Sequence, residues 1–324
     1  MQVLVIGGAG YIGSHMVHTL VKSGYEVVVL DDLSGGHADA VIGARLIIGC
    51  CSDKFLLDQL FKNHDFCAVM HFASFIQVGE STIDPAKYYT NNVCNTVSLL
   101  NAMVYAGIKY FVFSSTAAVY GNSVSEMISE DGSKHPINPY GRSKWMIEQL
   151  LGDYDEAYQL KSVSLRYFNA SGCAPNTGLG ERHEPETHLI PLVLQTASGR
   201  RENISVFGGD YETTDGTCIR DYVHVLDICN AHLLAMQYLL SGGKTDQFNL
   251  GNGTGFSVKQ VIDSAKALTG KDFRVVTLAR RLGDPPRLIA DPSKALKILQ
   301  WRPVRSDLNT IIADAWTWEL GYPW

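Results

Sequence analysis

The sequence predicts an α/β protein with a doubly wound parallel sheet, followed by a smaller region of mixed α and β structure. Three observations support this fold class. Short segments with strand composition alternate with longer helical patterns through the first half of the 324-residue chain. A glycine-rich turn directly follows the first of these strands. Beyond about residue 170 the alternation gives way to a long polar loop and to more widely spaced elements.

Six segments have the β-branched and aromatic composition that is typical of strands. These segments are Val3–Ile6, Glu26–Leu30, Arg45–Ile48, Ala68–His71, Tyr110–Ser114 and Ser162–Tyr167. Helical patterns lie between them, near residues 12–23, 54–63, 83–106 and 140–159. Strands that alternate with helices indicate βαβ units, in which helices cover both faces of a parallel sheet.

The second half begins with the segment CAPNTGLGERHEPETH, residues 173–188, which is rich in glycine, proline, asparagine and glutamate. A long loop inside a compact chain is more often functional than idle. Helical patterns follow near residues 189–199, 227–240 and 257–269, and the segment ISVFGGDY lies between the first two.

Composition excludes several classes of function. Apolar residues make up 46% of the chain and the formal net charge is −6, which indicates a sizeable core and argues against a general nucleic-acid surface. The amino terminus enters a strand at once, and no apolar run approaches the length of a membrane span. Seven cysteines without a C-x-x-C pair indicate reduced thiols. We therefore expect a soluble cytoplasmic protein without nucleic-acid or membrane partners.

The segment VLVIGGAGYIGSHMVHTLVKSGYEVVVLDD has the pattern of a dinucleotide-binding βαβ unit. Gly7 permits a tight turn, Gly10 lets the backbone approach a pyrophosphate, and Gly13 lets the helix pack on the strand. The helix N-terminus then presents free N–H groups to the phosphates. Asp31 ends the second strand, where its carboxylate can accept the ribose hydroxyls and repel a 2′-phosphate, so NAD is favoured over NADP; Asp32 is a neighbouring candidate.

Tyr140 and Lys144, in NPYGRSKWMIEQLL, stand four residues apart at the start of a predicted helix. They continue the apolar stripe that faces the sheet, although a solvated helix face is the ordinary alternative. A free tyrosine titrates near pH ~10, so it is a poor base at neutral pH. A buried ammonium and a nearby cofactor cation would stabilise the phenolate. Ser114 and Thr116 lie at the carboxyl end of the preceding strand, where ligands bind in open parallel sheets.

These motifs are similar to those of the extended short-chain dehydrogenase/reductase superfamily. Other segments resemble the UDP-glucose 4-epimerase family almost from end to end, namely HFASFIQVGES, YYTNNVCNT, SLRYFNASG, IRDYVHVLD, NLGNG and RRLGDPPRLIAD. The resemblance implies a reversible interconversion of UDP-glucose and UDP-galactose. Tyr140, assisted by Thr116, would take the proton of the sugar 4-hydroxyl while NAD takes the hydride from C4. The 4-keto sugar would then turn over while its nucleotide stays anchored.

The resemblance also implies site residues and organisation. The cofactor-binding set is Gly7, Gly10, Tyr11, Ile12, Gly13, Asp31, Asp32, Phe72, Ala73, Asn91, Ser114, Tyr140, Lys144 and Tyr167. The substrate-binding set is Thr116, Asn169, Leu189, Phe207, Arg220, Tyr222, Arg281 and Asp284. We expect residues 1–170 to form a Rossmann NAD-binding domain and residues 171–324 to bind mainly the nucleotide sugar, with about 220–250 returning to the first domain. A homodimer is expected.

Three other functions remain as alternatives. A nucleotide-sugar 4,6-dehydratase shares the tyrosine and lysine but commonly has Asp-Glu after the threonine, where this chain has Ala117 and Ala118. A non-catalytic NAD sensor would often lack the tyrosine or the lysine. A 4-epimerase for another UDP-sugar stays open, because Leu288 stands where bulk is associated with exclusion of N-acetylated sugars.

Individual residues also have alternative roles. Arg220 with Asp221, and Arg281 with Asp284, could form surface ion pairs rather than bind a diphosphate. The segment GERHEPETH suggests a metal site, but its spacing is not H-E-x-x-H and a proline interrupts it, so no metal is expected. Cys50 stands where the family commonly has an aspartate that contacts adenine, and a thiol is a weaker hydrogen-bonding group.

Overall fold

The structure is a computed structural model that describes residues 1–122, 125–281 and 284–322. Its strands are β1 Gln2–Ile6, β2 Glu26–Asp31, β3 Arg45–Ile48, β4 Phe66–His71, β5 Tyr110–Thr116, β6 Lys161–Tyr167, β7 Asn169–Ser171, β8 Asn203–Phe207, β9 Ile219–Arg220, β10 Tyr222–His224, β11 Asp246–Leu250, β12 Phe256–Ser257, β13 Arg274–Leu278 and β14 Arg287–Leu288. Its α-helices are α1 Tyr11–Lys22, α2 Lys54–Asn63, α3 Val78–Ile83, α4 Pro85–Tyr88, α5 Asn95–Ala106, α6 Pro139–Tyr158, α7 Leu189–Ala197, α8 Val225–Leu240, α9 Val258–Thr269 and α10 Leu308–Gly321.

A parallel sheet of seven strands in the order β11-β6-β5-β4-β1-β2-β3 forms the centre of the fold. Side chains alternate across it, so Val3 and Val5 pack with α1 and α8, whereas Leu4 and Ile6 pack with α2, α5 and α6. This is the predicted doubly wound arrangement, and the carboxyl ends of β1, β2, β4 and β5 meet along one edge.

A smaller hydrophobic cluster holds the second half together. It joins α7, α9 and α10 to β8, which pairs in parallel with β13. Two further small sheets, β10-β7 and β12-β9-β14, are formed by strands from residues 169 to 288. The predicted mixed α/β character of this region is therefore confirmed.

The predicted strands agree with β1 to β6 to within two residues at each end. The helix predicted at 83–106 is largely confirmed. The chain is helical from Pro85, which Asp84 caps, to Ala106, and the segment Tyr89–Cys94 within it is π-helical. The seventh strand, β11, and the last helix, α10, were not predicted. None of the helices formed by the described residues has both the length and the apolar character that a membrane span requires.

Candidate active site

The turn between β1 and α1 has the shape that a dinucleotide pyrophosphate requires. Gly7 has φ 77° and lies against the 72–73 backbone, since a Cβ there would be 2.3 Å from the nitrogen of Ala73. A Cβ on Gly13 would be 2.0 Å from the carbonyl oxygen of Gly7, whereas a Cβ on Gly10 would meet only that oxygen, at 3.5 Å. The turn is therefore closed on the protein side and open above Gly10, at the N-terminus of α1.

Asp31 is held in place at the end of β2. One carboxylate oxygen accepts a 2.9 Å hydrogen bond from the amide of Ala9, and the other accepts one of 2.9 Å from the amide of Leu33. Burial raises the pKa of Asp31, and these amides oppose the rise. The exposed Asp32 instead accepts hydrogen bonds from Ser34 in a local turn. Asp31 and Asp32, which were both predicted to bind the cofactor, therefore have different environments. The environment of Asp31 is the one suited to a ribose.

The backbone of Phe72 and Ala73 lies against Gly7, whereas Asn91 lies in the π-helical segment Tyr89–Cys94. The amides of Phe72 and Ala73 both donate to the carbonyl of Ile6, at 2.8 and 3.2 Å. Asn91 donates to the side chain of Asn92, at 3.0 Å. Asn92, which the sequence did not identify, is buried and donates to the hydroxyl of Ser143 at 3.1 Å, so it connects the π-helical segment to α6.

Tyr140 and Thr116 approach each other from two elements. Asn138 caps α6 by accepting a 2.8 Å hydrogen bond from the amide of Gly141, and Pro139 begins the helix. Thr116 ends β5 at the ligand-binding edge of the sheet. Burial raises the pKa of Tyr140 above its ordinary value, and a hydrogen bond with Thr116 opposes that rise.

Lys144 is 2% exposed and donates a hydrogen bond of 2.8 Å to the carbonyl oxygen of Ser114. Its Nζ also lies 4.8 Å from the centroid of the Phe113 ring. Burial lowers the pKa of Lys144 to about 7, while the charge of Glu148 opposes the fall. The predicted burial of this lysine is therefore observed, but its hydrogen bond in the described part of the chain goes to the β5 backbone rather than to Tyr140.

A buried polar network that the sequence did not reveal lies behind this pair. Glu148 of α6 receives Nε and Nη2 of Arg166 from β6, and Ser115 of β5 also donates to it. Arg166 donates to the hydroxyl of Tyr120 at 2.8 Å, which donates to Asn249 of β11 at 2.7 Å. Glu148 lies four residues beyond Lys144 on the inward face of α6. This spacing is the sequence signal from which its burial could have been predicted. The network joins α6 to three strands of the sheet.

The side chains of Ser114 and Tyr167 form a hydrogen bond, which places both predicted residues on neighbouring strands beside Lys144. Burial raises the pKa of Tyr167 well above its ordinary value. Tyr11 donates a 2.6 Å hydrogen bond to the carbonyl of Gly172, and Ile12 packs against the main core.

On the substrate side, the structure pairs the predicted residues differently from the ion pairs considered above. Arg220 lies 3.3 Å from Asp284, and its Nη1 donates to the carbonyl of Pro285 at 2.9 Å. Arg281 stacks over the ring of Phe207, with its guanidinium carbon 3.8 Å from the ring centroid. Asp221 is buried and accepts from backbone amides of residues 252, 253 and 290 instead.

The remaining predicted residues line the same region. Tyr222 in β10 is buried and lies opposite Asn169 in the parallel β10-β7 pair. Leu189 begins α7 and packs against the cluster that contains Tyr222. Leu288 lies opposite Arg220 in the β14-β9 pair and packs against a cluster that includes Tyr120.

The environment of Cys50 is polar. Its sulfur lies 3.1 Å from the hydroxyl of Ser52 and 3.5 Å from the amide nitrogen of Asn95. Asp53, three residues later, accepts from the amide of Leu56 at 3.1 Å and so caps α2. All seven cysteines are free thiols.

Comparison with known proteins gives a consistent result. The family described as "NAD dependent epimerase/dehydratase family" matches residues 3–251. The UDP-glucose 4-epimerase of Halalkalibacterium halodurans is 49% identical over 323 residues, which cover 100% of this chain and 97% of that one. The crystal structure of UDP-glucose 4-epimerase from Brucella ovis in complex with NAD is similar, with a TM-score of 0.95, 48% identity and 97% of each chain covered. The UDP-Glc/GlcNAc 4-epimerase of Campylobacter jejuni has a TM-score of 0.87 and 42% identity, with 99% of each chain covered.

Proposed function

Because the chain belongs to the NAD-dependent epimerase/dehydratase family, we propose that it interconverts UDP-glucose and UDP-galactose by reversible oxidation at C4 of the sugar. One observation supports the reaction type: at the carboxyl end of β5, Tyr140 forms a hydrogen bond with Thr116 and Lys144 donates to the carbonyl of Ser114, on the same edge of the sheet as the glycine turn. Similarity to UDP-glucose 4-epimerases along the whole chain supports the choice of sugar. The predictions of fold class, family, enzyme class and NAD as cofactor are confirmed.

NAD fits the residues that are present. The turn at 7–13 leaves room above Gly10, and Asp31 has its carboxylate aligned by two amides. We propose that the predicted cofactor set described above holds the dinucleotide along the carboxyl edge of β1, β2, β4 and β5. When bound, NAD supplies a reversible hydride acceptor, so the reaction is redox-neutral overall.

Within the chain, Tyr140 acts as the base for the sugar 4-hydroxyl, and Thr116 orients that hydroxyl. Lys144 supplies a positive charge next to this site from the dry side of α6. The same tyrosine returns the proton after the sugar has turned over, so its pKa must lie near neutrality in the working enzyme. Burial raises the pKa of Tyr140 in the protein alone, and the positive charge of the bound cofactor would lower it.

Rotation of the sugar demands that the nucleotide stay bound. We propose that Arg220 and Arg281 hold the diphosphate, since a guanidinium offers forked donors that are always charged. The stacking of Arg281 on Phe207 and the contact of Arg220 with Asp284 keep both arginines in one region. Tyr222, Asn169 and Leu189 would line the rest of the nucleotide-sugar site.

We further propose the division at residue 170 between the cofactor and the nucleotide-sugar domains, with about residues 220–250 joining the first. The position of β11 in the large sheet and the packing of α8 against its core support this division. The family resemblance supports a cytoplasmic homodimer. Light scattering of the purified protein tests the dimer, and a single-chain mass would contradict it.

A coupled assay with UDP-galactose tests the function. We expect UDP-glucose to form without net release of NADH, and Tyr140→Phe to slow the reaction by about 10²–10⁴-fold. Protein that retains NAD but forms no product would support the sensor alternative instead. A parallel assay with UDP-N-acetylgalactosamine tests whether the site beside Leu288 admits N-acetylated sugars. The similarity of the chain to a UDP-Glc/GlcNAc 4-epimerase is the reason for this assay. A 4-keto, 6-deoxy product would indicate the dehydratase, which the alanines at 117 and 118 disfavour.

A further inference from the structure

The end of the long loop gathers four side chains that can bind a metal ion. Glu181, His183, Glu186 and His188 each offer one ligand atom, and these four atoms lie within 4.8 Å of one another. The sequence argued against a metal here because the spacing does not fit two ligands on one helix. That argument does not apply to a loop, in which ligand positions depend on the path of the backbone. The cluster is separate from the proposed catalytic residues.

The nitrogen–oxygen distances within the cluster are close to those that a tetrahedral ion requires. Nδ1 of His183 lies 3.2 Å from Glu181 and 3.7 Å from Glu186, and Nδ1 of His188 lies 3.0 Å and 2.8 Å from the same two carboxylates. A tetrahedral zinc ion with bonds of about 2.0–2.2 Å requires its ligands to be about 3.3–3.6 Å apart. Of the four observed distances, three are shorter than this spacing and one is longer, so an ion would enter with small shifts of these side chains. Both imidazoles present the same ring nitrogen to the two carboxylates.

A metal-free explanation is a pair of histidine–glutamate ion pairs. Burial lowers the pKa of each imidazole, but the carboxylates raise it by more, to about 9 for His183 and about 10 for His188. In such pairs each N–H should point at a carboxylate oxygen. His188 does this with Glu186, whose oxygen also accepts from the amides of residues 187 and 188. Nδ1 of His183 is buried yet makes no hydrogen bond of ordinary geometry, although a carboxylate lies 3.2 Å away.

We propose that these four residues form a structural zinc site. Two imidazole nitrogens and two carboxylate oxygens suit Zn²⁺, whereas Mg²⁺ and Ca²⁺ prefer oxygen ligands alone. Four protein ligands close the coordination sphere and leave no position for substrate, so the ion would be structural rather than catalytic. This proposal does not depend on the proposed epimerase activity.

The position of the cluster gives the ion a role. His188 is the residue that precedes α7, and the ring of His183 packs edge-on against Tyr11 at 6.1 Å, at the start of α1. The carbonyl of Glu181 accepts from the indole of Trp318 on α10, at 3.0 Å. A bound ion would therefore fix the loop between the cofactor turn and the helix that begins with Leu189.

Metal analysis of the full chain tests the proposal. The seven free cysteines can also bind zinc, so the purified NAD-bound protein is first alkylated with N-ethylmaleimide. It is then treated with a chelator to remove bound metal and titrated with Zn²⁺. We expect about one tightly bound zinc per chain, the number that a single four-ligand site holds. Loss of a residue that only hydrogen-bonds to a metal ligand weakens metal binding by about 10–100-fold. His183→Gln removes a ligand itself, so it should weaken zinc binding by at least about 100-fold. Cobalt in place of zinc should give the visible absorption of a tetrahedral ion in the wild type only.

Two further variants make the outcome decisive. Glu186→Gln removes a charge at nearly constant volume and should lose the zinc like His183→Gln, which guards against misfolding of either variant. His135→Gln changes an exposed histidine outside the cluster and should keep the metal. Zinc that is absent from the alkylated wild type, or that binds to both cluster variants as tightly as to the wild type, would overturn the proposal.

Discussion

Lys144 donates a 2.8 Å hydrogen bond from α6 to the backbone carbonyl of Ser114, two residues before Thr116 at the end of β5. This bond fixes the first turns of α6 on the strand that carries the threonine. Burial lowers the pKa of Lys144 and raises the pKa of Tyr140, which lies four residues earlier on the same helix. In the proposed mechanism, the positive charge of the bound cofactor would lower the pKa of Tyr140 again.

Removal of the Tyr140 hydroxyl should stop the reaction without releasing the cofactor. We expect Tyr140→Phe to lower kcat by about 10²–10⁴-fold, the usual contribution of general acid–base catalysis, because no other base reaches the 4-hydroxyl in the proposed mechanism. The bound NAD is measured by its absorbance after denaturation. The matched control is Tyr158→Phe, an exposed tyrosine on the same helix, which should keep full activity. Activity of Tyr140→Phe close to wild type would remove Tyr140 as the base.

The pKa of Tyr140 should depend on the redox state of the cofactor. Burial raises it in the protein alone, and an opposite charge within about 4–6 Å lowers a pKa by about 1–3 units. The phenolate should therefore form at lower pH with NAD⁺ than with NADH. The ultraviolet difference spectrum between wild type and Tyr140→Phe measures this titration. Equal pKa values in the two states would contradict the role given to the cofactor charge.

Lys144→Met should shift the acid limb of the kcat/KM profile. Since the base must be deprotonated, activity rises with pH through the pKa of Tyr140. Loss of a neighbouring positive charge raises that pKa, so the limb should move to higher pH. A uniform loss of activity with an unchanged limb would mean that Lys144 only positions the site through its bond to Ser114.

The pair formed by Glu148 and Arg166 should dominate the stability of the catalytic helix. Both side chains are 1% exposed, so Arg166→Leu leaves a buried carboxylate without its partner and should cost about 3–5 kcal/mol. The exposed pair of Lys62 and Asp58, 4.0 Å apart, is the control, and Asp58→Asn should cost less than about 1 kcal/mol. Chemical denaturation compares them, and similar losses in the two variants would refute the assignment.

Neighbouring arginines should differ in nucleotide binding. Arg281→Ala removes the guanidinium that stacks on Phe207 and that is proposed to bind the diphosphate. A hydrogen bond to a charged group contributes about 1.5–3 kcal/mol, so its loss should weaken UDP binding by about 10–100-fold. Arg280 instead pairs with Asp210 at 2.7 Å, so Arg280→Ala should leave the affinity unchanged. Calorimetric titration with UDP separates the two. Equal affinities for both variants would argue against a phosphate role for Arg281.

Much of the cofactor site could be predicted because its determinants are local. The spacing of Gly7, Gly10 and Gly13 follows from one turn and one helix start, and Asp31 follows from the end of the next strand. The inward face of α6 likewise follows from helical periodicity over a few residues. The helix predicted at 83–106 is local in the same way, since Asp84 caps it and Pro85 occupies its first position. Its π-helical segment, Tyr89–Cys94, was not predicted.

The α/β architecture, the dinucleotide turn and the tyrosine–lysine spacing could be read from the amino-acid sequence, since each depends on backbone geometry within a single element or βαβ unit. The contacts between side chains of different elements became visible in the folded structure alone. Arg166 reaches Glu148 across 18 positions and Arg220 reaches Asp284 across 64, and the loop at 181–188 folds four ligand atoms into one small volume. Such contacts depend on how the helices and strands pack and on the path of the loops that connect them. Burial then removes water from charged side chains, and a charge that loses its water requires a partner.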